Sequence, residues 1–131
     1  MKSARILIVE DEILIAHGLS RMLKRWGYEV LKIVATGSDA IAAVQEQTPD
    51  VILMDIAIRG DMNGLQTSAE ILKDHPIPMV YLTAYSDEET LNKIRAVGGN
   101  SILIKPYKKP QLKELLEKVL SESINAPATS A

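Results

Sequence analysis

The chain has 131 residues, the size of one compact domain, and 47% of them are hydrophobic while only 4% are aromatic. Its net charge of −2, from 15 basic and 17 acidic residues, gives no support for a nucleic-acid-binding surface. Because cysteine is absent, disulfides, thiolate metal sites and cysteine nucleophiles are excluded, which fits a reducing compartment.

The basic N-terminal residues precede an apolar run of only four residues, which Glu10 interrupts. A secretory signal needs a longer run, and no run in the sequence approaches the length of a membrane span. We therefore expect a cytoplasmic protein that binds neither membranes nor nucleic acid directly.

Five short apolar runs alternate with amphipathic segments, which predicts buried parallel strands connected by helices. The second run contains Lys32, a residue that the edge of a sheet tolerates better than its centre. The predicted strands cover residues 6–9, 30–35, 51–54, 79–82 and 102–104.

The helices follow the strands, and glycine, proline and capping signals set their ends. Ser86 opens a Ser-x-x-Glu capping box and is predicted to cap the fourth helix. Pro110 suits the first turn of the fifth helix. The second and third helices are predicted over residues 38–47 and 65–74, and glycines 27, 98 and 99 are predicted to end the first and fourth.

Together these units predict a single α/β domain over residues 4–122. Its doubly wound sheet has five parallel strands in the flavodoxin-like order 2-1-3-4-5, flanked by five helices on its two faces. The remaining residues, 123–131, are small and polar and are predicted to form a flexible tail.

Four of the apolar runs end in residues that are able to bind a metal ion or a phosphate. Because the carboxyl ends of parallel strands lie along one edge of a sheet, we expect these side chains to converge there. They are Glu10 and Asp11 after the first strand, Asp55 after the third, Thr83 after the fourth and Lys105 after the fifth.

The three carboxylates predict a cation site. Two carboxylates about 4 Å apart repel by roughly 4 kcal/mol at an effective dielectric constant near 20, so three are costly without a cation among them. Hard oxygen ligands favour Mg²⁺ or Mn²⁺. The alternative, that acidic residues after strands only cap the following helices, stays open for Glu10 or Asp11 alone but is disfavoured for the whole set.

Four motifs in this order resemble those of the receiver domain of two-component response regulators, the CheY-like family, over about residues 4–122. The intervals are 44 residues from Asp11 to Asp55, 28 more to Thr83 and 22 more to Lys105, and they suit that family. The motifs are the acidic pair in Val9-Glu10-Asp11-Glu12, the phosphoacceptor in Leu53-Met54-Asp55, the hydroxyl in Leu82-Thr83-Ala84 and the lysine in Ile104-Lys105-Pro106.

The resemblance implies a signalling module, not counted as an enzyme, which catalyses only its own phosphorylation and dephosphorylation. Asp55 would accept a phosphoryl group from a sensor histidine kinase or a phosphotransfer protein. Thr83 would then hydrogen-bond a phosphoryl oxygen, and Lys105, on a cis peptide to Pro106, would neutralise its charge.

The resemblance also implies a Mg²⁺ or Mn²⁺ site. Asp11 and Asp55 would bind the ion directly, Glu10 would act through water, and the carbonyl of Ala57 would complete the protein ligands. Phosphorylation would change a surface formed by the fourth helix, the fifth strand and the fifth helix. That surface would bind a downstream protein or output domain, or a second copy in a homodimer.

Two departures from the family pattern bear on the mechanism. The loop from Asp55 to Gly64 lacks the usual Met-Pro and is one residue longer. Ile102 stands where many receivers carry a switch Tyr or Phe, and an isoleucine has no ring to move. Tyr85, two residues after Thr83, is a hypothetical substitute.

Two other functions stay open. A phosphorylation-independent adaptor would keep the same fold without the chemistry, and failure to bind Mg²⁺ would favour it. A small Mg²⁺-dependent phosphatase with Asp55 as nucleophile is less favoured, because the second Asp expected two residues later is Ala57 here. A flavin phosphate is disfavoured because the acidic residues 10–12 would repel it.

Overall fold

The structure, a computed structural model, describes residues 3–98 and 101–125. Within those residues five parallel strands alternate with five helices in the sheet order β2-β1-β3-β4-β5, so the predicted doubly wound α/β fold is confirmed. The strands are β1 (Arg5–Val9), β2 (Glu29–Val34), β3 (Val51–Asp55), β4 (Met79–Thr83) and β5 (Ile102–Ile104). The helices are α1 (Ile13–Arg25), α2 (Gly37–Glu46), α3 (Gly64–Asp74), α4 (Glu88–Ala96) and α5 (Lys109–Asn125).

Most boundaries lie within one residue of those predicted from the sequence. Gly27 and Gly98 follow α1 and α4 with positive φ angles of 95° and 96°, as expected for residues that end helices. The predicted Gly99 lies outside the described residues. Helix α5 continues to Asn125, so residues 123–125 belong to the helix rather than to the predicted tail, and residues 126–131 are not among those described.

One capping prediction was wrong, because Asp87 rather than Ser86 caps α4. The backbone N–H of Thr90 donates to the Asp87 carboxylate at 3.0 Å, and the Thr90 hydroxyl donates to it at 2.9 Å. These bonds, the backbone one foremost, hold the pKa of Asp87 below its usual value. A carboxylate caps as well as a serine hydroxyl and is also favoured by the helix dipole, so the helix begins one residue later than predicted.

The sheet is covered on both faces, because alternate side chains of each strand point to opposite sides. Leu7, Ile52 and Tyr81 belong to the buried cluster that packs against α2, α3 and α4. Ile6 and Leu53 belong to the cluster on the other face, which packs against α1 and α5. Both cores are built mainly from aliphatic side chains, as the scarcity of aromatic residues predicts.

The two outer strands differ in length. Strand β2 has six residues and forms one edge of the sheet, where Lys32 was expected to lie. The Lys32 ammonium is 3.6 Å from a carboxylate oxygen of Glu46 on α2. Strand β5, with three residues, forms the opposite edge.

The register of the strands brings their carboxyl ends together at one edge. Val9 pairs with Met54, the residue before Asp55, and Asp55 pairs with Leu82, the residue before Thr83. The residues that follow β1, β3, β4 and β5 therefore share one end of the domain. None of the helices in the described part of the chain is both long and apolar enough to span a membrane.

Candidate functional site

Three carboxylates meet at the carboxyl ends of β1 and β3. One oxygen each from Glu10, Asp11 and Asp55 can be chosen so that all three lie within 4.8 Å of one another. Glu10 and Asp55 are almost fully buried, with 2% and 5% of their surfaces exposed, and Asp11 is partly buried. The backbone N–H of Glu10 donates to the carbonyl of Val34 at 2.9 Å, which fixes the end of β1 beside β2.

Lys105 extends from the end of β5 into this acidic cluster. Its ammonium donates to Asp55 Oδ2 at 3.1 Å and lies 3.7 Å from Glu10 Oε1. Its backbone N–H donates to the carbonyl of Thr83 at 2.7 Å, and the peptide bond to Pro106 is cis, as predicted. Burial disfavours the charged ammonium, but the charge of Asp55, its hydrogen bond and the charge of Glu10 together outweigh this, so the pKa of Lys105 lies above its usual value.

Burial strongly perturbs the pKa of the Glu10 carboxyl. Burial, opposed in part by a hydrogen bond from the backbone N–H of Glu12, raises the pKa of the Glu10 carboxyl from 4.5 to about 7. This value of about 7 already includes the smaller effects of Asp55, which raises the pKa of Glu10, and of Lys105, which lowers it. Among the described residues, Glu10 Oε1 has no hydrogen-bond partner.

A divalent cation fits this donor set. The three carboxylates are hard oxygen ligands, and two of them are buried where mutual repulsion is least screened. The oxygen of Glu10 that lacks a hydrogen bond is the kind of buried polar atom that an ion or its bound water satisfies. The arrangement therefore suits Mg²⁺ or Mn²⁺ on physical grounds.

The loop between β3 and α3 supplies two backbone amides to the carboxylates. The N–H of Ala57 donates to Asp55 Oδ1 at 2.9 Å, and the N–H of Arg59 donates to Asp11 Oδ2 at 3.2 Å. Ile56 and Ile58, the residues in alternation with these two, are buried in the core. These buried side chains anchor the loop beside the acidic cluster, where the N–H groups of the intervening residues reach the carboxylates, a feature that the sequence analysis missed.

Gly64, the first residue of α3, lies directly against the phosphoacceptor candidate. A Cβ atom at this position would overlap the backbone carbonyl oxygen of Asp55. The helix start is fixed by a capping box, in which the Asn63 side chain accepts from the N–H of Gln66 and the Gln66 side chain accepts from the N–H of Asn63, both at 2.9 Å. The loop between β3 and α3 is thus held tightly at its α3 end.

Thr83 and Tyr85, at the end of β4 and in the loop that follows it, are hydrogen-bonded to each other. Thr83 is buried, and its hydroxyl accepts from the backbone N–H of Tyr85 at 2.9 Å and lies 3.4 Å from the Tyr85 carbonyl. The hydroxyl is therefore bonded to its own loop. Tyr85 is 57% exposed, while Ile102 is partly buried and packs against the core formed with α2, α3 and α4.

The structure places carboxylate oxygens of Glu10, Asp11 and Asp55 within 4.8 Å of one another, with the Lys105 ammonium against Asp55. Thr83 lies at the end of the adjacent strand, where its carbonyl accepts from the backbone N–H of Lys105. Ala57 lies at the site and its surface is exposed, and its N–H contacts Asp55. Arg59 is the residue that sequence reasoning did not identify. The signal in the sequence is a basic residue in the segment that directly follows the candidate site residue Asp55.

Comparison with known proteins identifies relatives of similar length and fold. The sequence model of the family described as the response regulator receiver domain matches residues 6–117. Protein PilH of Pseudomonas aeruginosa is 36% identical over 123 residues, which cover 90% of this chain and 98% of PilH. The solved structure of the chemotaxis protein CheY4 of Vibrio cholerae is similar with a TM-score of 0.83 and 30% identity, covering 90% of this chain and 99% of that one.

Another relative is longer than this chain. The transcriptional regulatory protein PdtaR of Mycobacterium tuberculosis is 33% identical over 118 residues, which cover 89% of this chain. The match spans 57% of PdtaR, so the chain corresponds to a little more than half of that protein.

Proposed function

This chain belongs to the response regulator receiver family of two-component systems, and from that premise we propose that Asp55 accepts a phosphoryl group in a Mg²⁺-dependent reaction. Proteins of this family are mainly signalling modules that interact with histidine kinases and downstream partners. The donor proposed here is the phosphohistidine of a sensor kinase or of a phosphotransfer protein.

Asp55 acts as the nucleophile. A carboxylate oxygen forms the new bond to phosphorus while the bond between phosphorus and the histidine nitrogen breaks. The Ala57 amide and the Lys105 ammonium hold the two oxygens of the Asp55 carboxylate from different sides, which supports a fixed orientation for attack. The Lys105 ammonium then neutralises negative charge on the transferring phosphoryl group.

Asp11, Asp55 and the carbonyl of Ala57 would hold Mg²⁺, or Mn²⁺ in its place, and Glu10 would act through water. When bound, the ion supplies positive charge that offsets the charge of the phosphoryl oxygens. Glu10 supports this assignment, because its buried carboxyl has one oxygen without a hydrogen bond.

Thr83 links phosphorylation to a change of shape. Its hydroxyl leaves the backbone of Tyr85 and donates to a phosphoryl oxygen, which draws the loop after β4 toward the site. Because Ile102 has no ring to move, Tyr85 is the aromatic side chain that changes environment. The altered surface comprises α4, β5 and α5 and binds a downstream protein, an output domain or a second copy of the chain.

The switching role of Tyr85 has its own test. Hydrogen exchange of the backbone amides in α4 and β5 is compared with and without phosphorylation, in the wild type and in Tyr85→Ala. A reduced response in Tyr85→Ala is expected. An unchanged response would remove Tyr85 from the switch without touching the phosphoacceptor.

The single observation that carries the proposal is the contact of Asp55 with Lys105 beside two further carboxylates. Its test is intact-mass measurement after incubation with acetyl phosphate, with and without Mg²⁺. We expect one phosphoryl adduct that requires Mg²⁺ and is absent in Asp55→Asn. Asp61→Asn, which changes an exposed aspartate of the same loop, is the matched control and should keep the adduct.

A wild type that forms no adduct with acetyl phosphate or with a phosphorylated kinase would contradict the proposal. The phosphorylation-independent adaptor would then be the better interpretation. An adduct that persists in Asp55→Asn would place the acceptor elsewhere.

A further inference from the structure

Arg59 contacts the acidic cluster from the loop between β3 and α3. Its guanidinium Nε lies 3.6 Å from Asp11 Oδ2, the same oxygen that accepts from its backbone N–H at 3.2 Å. The Arg59 side chain is 89% exposed, whereas that of Asp11 is 18% exposed. One oxygen of a candidate metal ligand therefore interacts with a fixed amide and with a cation that is free to move.

The backbone of Arg59 lies between a buried residue and a turn. Ile58 is buried in the core, and Gly60 turns the chain with a φ of +112°, a conformation that favours glycine. The position of residue 59 beside Asp11 is thus set by its neighbours, and the guanidinium adds a positive charge at that position.

We propose that Arg59 is an internal competitor for divalent cations at Asp11, and that it weakens the binding of Mg²⁺ by the acidic cluster. The inference rests on the metal site proposed above. A guanidinium beside the carboxylate neutralises part of the charge that attracts the ion. Binding of the ion at Asp11 displaces that guanidinium. The free energy of the lost ion pair therefore reduces the affinity for the ion.

Lys105 is not equivalent to Arg59 in this respect. Its ammonium lies between Asp55 and Glu10, is hydrogen-bonded to Asp55 and is only 28% exposed. The two cations divide the cluster between them: Lys105 neutralises the two buried carboxylates, and Arg59 neutralises the more accessible Asp11. Because the Arg59 side chain is exposed, its guanidinium can move from Asp11 into solvent without becoming an unpaired buried charge.

The expected effect is moderate, because exposed ion pairs are weak and screened by salt. Removing the guanidinium should lower the Kd for Mg²⁺ about two- to fivefold at low ionic strength. The difference should shrink as the salt concentration is raised, since the Debye length falls to about 3 Å at 1 M.

The test is calorimetric titration of Mg²⁺ into the unphosphorylated wild type, Arg59→Gln, Arg59→Lys and Lys73→Gln. Arg59→Gln keeps the backbone N–H and removes only the guanidinium, and Arg59→Lys keeps a positive charge and should fall between it and the wild type. Lys73→Gln removes the same charge at the far end of α3, where Lys73 pairs with Glu70 at 2.8 Å. It controls for net charge and should bind like the wild type.

Three results would overturn the inference. Equal Kd values for the wild type and Arg59→Gln would contradict the competition by Arg59 without contradicting the proposed metal site. An equal gain in Lys73→Gln would assign the effect to net charge. If none of the four proteins bound Mg²⁺, the proposed metal site itself would be wrong, and the competition with it.

Discussion

The loops after β3 and β4 both carry residues of the site, but they are held in very different ways. The loop after β3 buries two isoleucines, donates two amides to carboxylates and ends where Gly64 packs against Asp55. The loop after β4 exposes residues 84–87 and is bonded mainly to itself, through Thr83 and Tyr85.

The helices that follow these loops repeat the contrast. Helix α3 buries Gly64, Thr67, Ser68 and Ile71, whereas Ile94 is the one buried residue of α4. Segments with few buried contacts open most easily, so α4 is the element that a small change of free energy can move. The side of the site that carries the proposed phosphoacceptor, Asp55, is therefore rigid, and the proposed signalling side is adaptable.

The largest expected effect concerns the packing of Gly64 against Asp55, on the rigid side of the site. Gly64→Ala adds a Cβ that overlaps the backbone of Asp55, so we expect a loss of about 3 kcal/mol or more in the free energy of unfolding. Gly18→Ala is the matched control, since no atom lies within 4 Å of a Cβ there and the residue is within α1. It should stabilise the protein by about 0.5–1 kcal/mol. Urea unfolding measures both, and a neutral Gly64→Ala would contradict the tight packing.

The next effect concerns pH and the buried Glu10. Because the pKa of Glu10 is raised from 4.5 to about 7 in the folded state, the folded protein retains the proton more tightly than the unfolded chain. Its contribution to stability is complete below pH 4.5 and is lost as the pH rises through 7. At 1.36 kcal/mol per pKa unit the loss reaches at most about 3 kcal/mol.

The measurement compares wild type and Glu10→Gln without divalent ions at pH 5 and pH 8. Relative to the wild type, Glu10→Gln should be more stable at pH 8 than at pH 5, because it cannot acquire the buried charge. A difference between the two proteins that does not change with pH would show that Glu10 is accommodated as a carboxylate on the rigid side.

The smallest effect concerns the adaptable side. Asp87→Ala removes the cap of α4 and should cost about 1 kcal/mol, while Ser86→Ala should cost almost nothing. Hydrogen exchange would sharpen the comparison, since the amides of α4 should exchange faster in Asp87→Ala while those of α3 stay unchanged. Equal losses for Ser86→Ala and Asp87→Ala would contradict the assignment of the cap.

The convergence of Glu10, Asp55 and Lys105 could be predicted from the sequence, because it depends only on strand direction and strand order. The contact between Arg59 and Asp11 could not, since it depends on the course of the loop between β3 and α3. That course is set by tertiary packing of the isoleucines on either side of Ala57 and by the turn at Gly60, which no local pattern specifies.

The cap of α4 is an intermediate case. Ser86 and Asp87 are both good capping residues, and the choice between them depends on the residue three positions later. Thr90, with both its N–H and its hydroxyl bonded to Asp87, decides in favour of the aspartate. The sequence contains Thr90 three residues after Asp87, but the Ser-x-x-Glu match of Ser86 and Glu89 favoured the serine as the predicted cap.

The unequal edges of the sheet have a consequence for self-assembly. A six-residue edge strand such as β2 offers unpaired backbone groups on which another chain could add a strand and begin aggregation. In β2, however, Lys32 lies in mid-strand and pairs with Glu46, so an incoming strand would have to strip water from an ion pair. The opposite edge, β5, is only three residues long and gives a growing fibril little to extend. The two edges therefore protect the domain against fibre formation by different means, charge at one and brevity at the other.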